Sequence, residues 1–184
     1  MSEGETARAP IGHVVLCAKT PEACDAGAGA AEADDRVIRL GRESWRALAD
    51  INTEVNRRIR PRPDGTDGGA PDVWSINPVA GDCEDYALTK REALIREGLP
   101  AAALLVAVVR DERGDHHAVL VARTDRGDFV LDNRRAAVRA WSELPYRWIK
   151  RQSAADPRRW VRLDGYAEEM VERKQELLRR FAQR

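Results

Sequence analysis

The stretch Gly81-Asp82-Cys83-Glu84-Asp85-Tyr86-Ala87 decides how this chain reads, because it sets a cysteine where a loop turns into the first turn of a helix. Asp82 fits an N-cap, and Asp85 stands three residues on, as in a capping box. Ala87, Leu88, Leu94 and Ile95 then recur at helical spacing until Gly98 and Pro100 stop the pattern. Cys83 falls at the first helical position, where unpaired amide hydrogens and the positive end of the helix dipole favour a negative sulfur. A free cysteine pKa of about 8.5 drops in such a setting. Asp82 and Glu84 oppose that effect, so a cationic partner is also needed.

Downstream, the near-continuous apolar run over residues 102–109, rich in valine, predicts a strand buried on both faces. Asp111 to Asp115 reads as a turn, His117 to Thr124 as a second strand, Asp125 to Asp128 as a turn and Phe129 to Asp132 as a third strand. A helix followed by an antiparallel meander is an α+β arrangement. Trp141, Tyr146, Trp148 and Trp160 cluster in a segment of little regular period and read as an aromatic cap.

Upstream, residues 1–10 are polar and expected to be disordered, and His13-Val14-Val15-Leu16 reads as a short strand or an extended entry into the core. The span 27–35 reads as a loop. Trp45, Leu48, Ile51, Val55 and Ile59 predict an amphipathic helix from about Arg42 to just before Pro61, with Asn52 and Asn56 near its inner face as structural polar groups or site residues. Arg60 to Asp72, dense in Pro, Gly and Asp, reads as an exposed loop ahead of the cysteine. Trp74, nine residues before Cys83, is either core or a wall of the cleft. Residues 164–184 carry Met170, Val171, Leu177, Leu178 and Phe181 at helical spacing and predict a C-terminal amphipathic helix.

Composition bounds the function. With 184 residues the chain suits one domain, and 31 basic against 31 acidic residues leave a net charge of zero, which points away from nucleic acid and from a polybasic membrane partner. No apolar run approaches the roughly 20 residues needed to span a bilayer, and the N-terminus lacks the pattern of a signal peptide, which taken literally means cytoplasm.

A thiol hydrolase needs a thiolate, an imidazole and a group that orients it. Cys83 is the nucleophile candidate, and His13, His116 and His117 are the possible bases. If the turn near Arg126 and Gly127 is a two-residue hairpin, opposed positions sum to an odd number, and Asp132 shares a face with His117 and not with His116. A three-residue loop would reverse this. Asn133 is the alternative orienter.

The Cys83 motif closely resembles the nucleophile motif of the bacterial transglutaminase-like cysteine proteinases, the family that includes the LapG-type periplasmic adhesin proteases. Trp74, Pro78, His117-Ala118-Val119-Leu120, Val130-Leu131-Asp132-Asn133, Tyr146-Arg147-Trp148-Ile149 and the segment from Cys17 to Cys24 look like family segments in family order, over roughly residues 11 to 163. The resemblance implies a papain/transglutaminase-like domain over 11–163, with the nucleophile helix packed on an antiparallel sheet. It implies a cysteine endopeptidase with Cys83, His117 and Asp132 as triad, acting through an acyl-enzyme on an exported or surface-attached protein such as an adhesin. A transglutaminase-type acyl transferase and a non-catalytic binding module on the same scaffold are the alternatives. Trp74 and Asn133 are the tentative cleft or oxyanion residues. No cofactor is required for the chemistry, but calcium is implied near the site, with Asp82 and Glu84 at the matching positions. A periplasmic location, with a signal removed, and a membrane receptor that sequesters the protease are further implications. Cys17 and Cys24 enclose a short loop that a disulfide could close in an oxidising compartment; two reduced cysteines on a surface loop are the other reading. Zinc there lacks ligands beyond His13.

Overall fold

The computed structural model describes residues 1, 3–25, 36–65 and 72–163. The expected C-terminal helix over 164–184, the loop over 27–35 and much of the loop before Asp72 lie outside the described residues.

Among the described residues, three α-helices carry one side of the fold: α1 (Ile11–Lys19), α2 (Arg42–Arg58) and α3 (Cys83–Arg96). The strands are β1 (Thr6–Ala7), β2 (Arg60–Pro61), β3 (Ala80–Gly81), β4 (Leu104–Arg110), β5 (His116–Thr124), β6 (Gly127–Leu131), β7 (Arg139–Ala140), β8 (Arg147–Gln152) and β9 (Trp160–Arg162). Seven of them form an antiparallel sheet in the order β1-β9-β8-β4-β5-β6-β7, while β2 and β3 make a separate parallel pair. This is the expected α+β class, with the cysteine helix on the sheet, although the sheet has four strands more than the three expected.

The sheet is buried on both faces, which is why β4 reads as an unbroken apolar run. On the helix side, Leu104, Val106, Leu120, Ala122 and Leu131 pack with Leu48 of α2 and Ala87, Leu88 and Leu94 of α3. On the other side, Val109, Val119, Val121 and Val130 pack under Trp141, Leu144, Tyr146 and Trp148. The aromatic cluster is thus a cap, except that Trp160 belongs to the helix side. Residues 84–91 of α3 are all buried, so this helix is enclosed by sheet and α2 and shows little one-sided pattern. Gly98, at φ 88°, ends it in the left-handed region that glycine adopts at no cost, with its N–H bonded to the Ile95 carbonyl.

Two expectations fail. The described residues of the segment 1–10 are not disordered: Thr6 and Ala7 pair with Val161 and Trp160, the Gly4 N–H donates to the Arg162 carbonyl at 2.9 Å, and the Met1 ammonium reaches Asp128 at 2.7 Å. Backbone pairing at a sheet edge needs no apolar alternation, so polarity is no guide there. The expected strand at 13–16 is the middle of α1. His13 and Leu16 are buried while Val14 and Val15 are exposed, a helical period too short to separate from a strand in four residues.

Candidate active site

At the start of α3 the expected cap is present, in part. The Asp85 carboxylate accepts from the backbone N–H of Asp82 at 3.2 Å and from that of Ser75 at 2.7 Å, which ties the segment after Trp74 to the cysteine turn. Asp82 instead turns its side chain to the Asp64 N–H, at 3.1 Å. Gly81 is needed because a Cβ there would lie 2.0 Å from an Asp85 oxygen. Burial, and then the Asp82 charge, raise the Asp85 carboxyl to about 6 against those two bonds.

Cys83 sits at the first position of α3, half-buried, and its thiol donates to Glu84 Oε2 at 3.1 Å. Burial pushes the thiol pKa far up and the Glu84 charge adds to that, against the N–H of Ala118, which favours the sulfur anion. Helix placement is thus opposed by burial and by Glu84 and Asp82, in line with the expectation that a cationic partner is needed as well. Cancelling that opposition takes positive charge.

His117, the second residue of β5, faces Asp132, which follows β6. The register pairs Thr124 with Gly127 and Leu120 with Leu131, so the hairpin turn is the two residues Asp125-Arg126 and opposed positions sum to an odd number. His117 Nε2 and Asp132 Oδ1 are 2.9 Å apart, both side chains buried. Burial would raise the Asp132 carboxyl, but hydrogen bonds from His117, from the Tyr146 hydroxyl at 2.5 Å and from the Arg134 N–H at 2.9 Å outweigh it and hold it down at about 2. An ionised carboxylate only accepts, so Nε2 carries the proton. Nδ1 is buried with no hydrogen-bond partner among the described residues. His116 is exposed and lines the same cleft.

Asn56 Nδ2 donates to the Asp132 carbonyl at 2.9 Å, and Asn52 to the Arg135 and Ala136 carbonyls at 3.1 and 3.0 Å. Both act as supports of the loop that bears Asp132. Asn133 makes no hydrogen bond to His117 and does not border the cleft, so neither tentative role for it is favoured. Trp74 does border the cleft; its indole N–H is committed to Asp72 Oδ1 at 2.7 Å, which makes it a wall and not an oxyanion donor.

The cleft has a volume of about 870 Å³ and brings Cys83, His117, Asp82, Glu84 and Trp74 to one cavity. Tyr146, read from the sequence as part of an aromatic cap and a family segment, contacts Asp132, and Asp64, read only as part of a loop, joins Asp82 and Glu84. Asp64, Asp82 and Glu84 place carboxylate oxygens within 4.8 Å of one another, and Asp82 Oδ1 is buried with no hydrogen-bond partner among the described residues. Burial, followed by the hydrogen bond and charge of Asp82, raises the Glu84 carboxyl. A hard divalent cation with oxygen ligands fits this donor set, though three carboxylates alone do not fill six to eight positions. Away from the cleft, Cys17 and Cys24 are joined by a disulfide with Cα atoms 5.6 Å apart. His13 lies against them, with Trp160 Nε1 3.3 Å from Nδ1 and Gln152 Nε2 3.0 Å from Nε2; the neutral ring accepts at one nitrogen and carries its proton on the other.

Residues 3–168 match the family described as "Bacterial transglutaminase-like cysteine proteinase BTLCP". The fold is similar to solved structures of Legionella pneumophila LapG. The calcium-bound form aligns at 22% identity over 66% of this chain and 70% of that one, with a TM-score of 0.52. An EGTA-treated form aligns at 22% identity over 64% and 66%, TM-score 0.51, and a further LapG structure at 23% over 66% and 68%, TM-score 0.52. No curated protein matches the sequence. No helix among the described residues is long and apolar enough to cross a membrane.

Proposed function

Because this chain belongs to the bacterial transglutaminase-like cysteine proteinases and is a cysteine peptidase by family, we propose that it cleaves a protein substrate with Cys83, His117 and Asp132 as its triad. The observation that carries this reading is the buried His117–Asp132 pair at 2.9 Å, which leaves the Nδ1 lone pair uncommitted beside a cleft that also holds Cys83. In the reaction, the thiol proton passes to His117 Nδ1 and Sγ attacks the scissile carbonyl. The developing oxyanion takes the backbone N–H of Cys83 at the helix start. Nδ1–H protonates the leaving amine, a thioester remains, and water attacks it with Nδ1 again as base, releasing the acid and restoring the thiol. Asp132 fixes the tautomer throughout and Tyr146 fixes Asp132.

Asp64, Asp82 and Glu84 would hold calcium, a reading supported by the calcium-bound form of Legionella pneumophila LapG. When bound, the ion supplies positive charge beside the thiol and neutralises the carboxylates that now oppose a thiolate. The Cys17–Cys24 disulfide supports an oxidising compartment, which fits an exported substrate such as a surface adhesin, and a periplasmic setting in which a membrane receptor could sequester the enzyme.

Incubation of candidate surface proteins with the wild type and with Cys83→Ala, read by mass analysis, tests the proposal. Fragments with a new amino terminus, formed by the wild type alone, are expected. Incorporation of an added amine without hydrolysis would replace peptidase by acyl-transferase chemistry.

A further inference from the structure

We propose that Lys90, buried in the nucleophile helix, is a positioning residue: its ammonium closes a polar network with Asn52 and Asn56 of α2 and so holds the Asp132 loop beneath His117. This deepens the triad reading above and rests on it.

Helix direction brings the three side chains together. The chain enters α2 beside the turn of the β5–β6 hairpin, where the Leu40 N–H donates to Asp125 at 2.8 Å and Trp45 meets Phe129, and it reaches the Asp132 end of β6 through Asn56. α3 runs the other way along the same sheet. Its first residue, Cys83, faces the N–H of Ala118, and farther on Arg91 Nε donates to the carbonyl of Leu104, which opposes Ala122. The two helices are therefore antiparallel. Where the end of α2 meets the start of α3, the Tyr86 hydroxyl donates to the Ile59 carbonyl at 2.6 Å and Tyr86 packs with Val55 and Ile59. One turn on along α3 is Lys90, and one turn back along α2 is Val55, so Lys90 comes level with Val55, between Asn52 and Asn56.

Lys90 Nζ, Asn52 Oδ1 and Asn56 Oδ1 are all buried with no hydrogen-bond partner among the described residues, and Lys90 is 0% exposed. The amides are fixed in orientation, because each Nδ2 donates to carbonyls of the loop over residues 132–136. That leaves two oxygens that only accept beside an ammonium that only donates. One enclosed water, accepting from Nζ and donating to both oxygens, satisfies all three with the about three bonds usual for buried water. The Tyr86 ring centre lies 6.0 Å from Nζ, and the charge that acts on Lys90 is that of Asp132. Burial lowers the Lys90 pKa to about 7 against the pull of Asp132, so the ammonium is charged at mildly acid pH. Arg135 Nε, 3.6 Å from Asp132 Oδ2, is a second cation at that carboxylate, and it is partly exposed. Burying an ammonium costs stability that an apolar chain of similar length would not. Packing alone therefore gives no reason for a lysine at this position, whereas an ionised Asp132 held in place under His117 does.

The test compares the full chain as wild type, Lys90→Met and Lys90→Gln, all with calcium at pH 6. The melting temperature of Lys90→Met should equal or exceed that of wild type, since an apolar side chain replaces a buried charge. By NMR, the His117 Nε2–H that Asp132 holds should exchange with solvent about tenfold faster in both variants, and alkylation of Cys83 by iodoacetamide should slow about tenfold. That is the scale of one unit charge about 10 Å away, the length of seven residues along α3, at an effective dielectric of about 20. On a cleavable substrate kcat should fall by a similar factor with KM unchanged. Lys90→Gln, which keeps a donor without the charge, should behave in the same way. Wild-type exchange and alkylation rates in folded variants, a change confined to KM, or a melting temperature that falls together with the rates would overturn the proposal. Failure of both variants to fold, by circular dichroism, would do so too and make Lys90 a residue of the fold. Exchange and alkylation need no substrate, so altered rates in the variants beside a wild type that cleaves nothing would support Lys90 as a positioning residue and count against the peptidase reading. Cleavage that depends on Cys83 and is unchanged in the variants would do the reverse.

Discussion

Asp132 receives the His117 ring, the Tyr146 hydroxyl and the Arg134 amide at once, and that convergence is what keeps a buried carboxylate charged. Asp132→Asn should leave the fold standing and lower turnover by about four orders of magnitude, the scale seen for the orienting group of a serine-protease imidazole. Tyr146→Phe removes one hydrogen bond to a charged group and should cost about ten- to a hundredfold in kcat with little change in KM. Steady-state kinetics on one cleavable substrate checks both; a Tyr146→Phe enzyme as active as wild type would reduce Tyr146 to packing. Cys83, His117 and Asp132 were legible because each belongs to a local pattern: a helix start, a strand start and a strand end linked by a two-residue turn. Tyr146 and Asp64 had no such pattern. One follows the strands in an aperiodic aromatic segment and the other sits in a Pro/Gly loop, so only the folded chain brings them to the site.

At the scale of elements, α1 is held to the body by contacts that no sequence period announces. Gly12 lies against Trp74, where a Cβ would come within 2.1 Å of the indole, and His13 packs edge-on to Trp74 and Trp160. Burial first, and the Arg91 charge second, bring His13 from 6.5 down to about 4. The unfolded chain then binds a proton near pH 6.5 that the folded chain refuses until near pH 4. The resulting stability is complete above pH 6.5 and is lost as pH falls toward 4, by on the order of 3 kcal/mol. Denaturant midpoints should fall from pH 7.5 to pH 4.5 in wild type and fall distinctly less in His13→Asn; equal slopes would remove His13 as the source. The carboxylates of Asp64, Asp82 and Glu84 make a second prediction. Calcium should raise the melting temperature of the wild type and EGTA reverse this, while Asp64→Asn should weaken the response through loss of one carboxylate. A calcium shift unchanged in Asp64→Asn would exclude Asp64 from the ligand set.

For the whole molecule, the cysteine helix and three central strands were legible because their signals are local. The outer strands β1, β7, β8 and β9 are only two to six residues long, and β1 and β8 pair across long separations, Thr6 with Val161 and Ala107 with Arg151, so periodicity does not find them. They matter nonetheless, since β8, β9 and the N-terminal arm build the wall of the cleft farthest from the thiol. At the other end of that cleft, in the mechanism proposed above, a thiol whose ionisation burial and acidic neighbours oppose becomes a nucleophile through His117. That step is tested most directly by the rate of Cys83 alkylation with iodoacetamide near neutral pH, in calcium-loaded wild type, His116→Ala and His117→Ala. Wild type and His116→Ala should react much faster than a free thiol and His117→Ala slowly. Equal slow rates in all three proteins, or a slow His116→Ala beside a fast His117→Ala, would contradict the account.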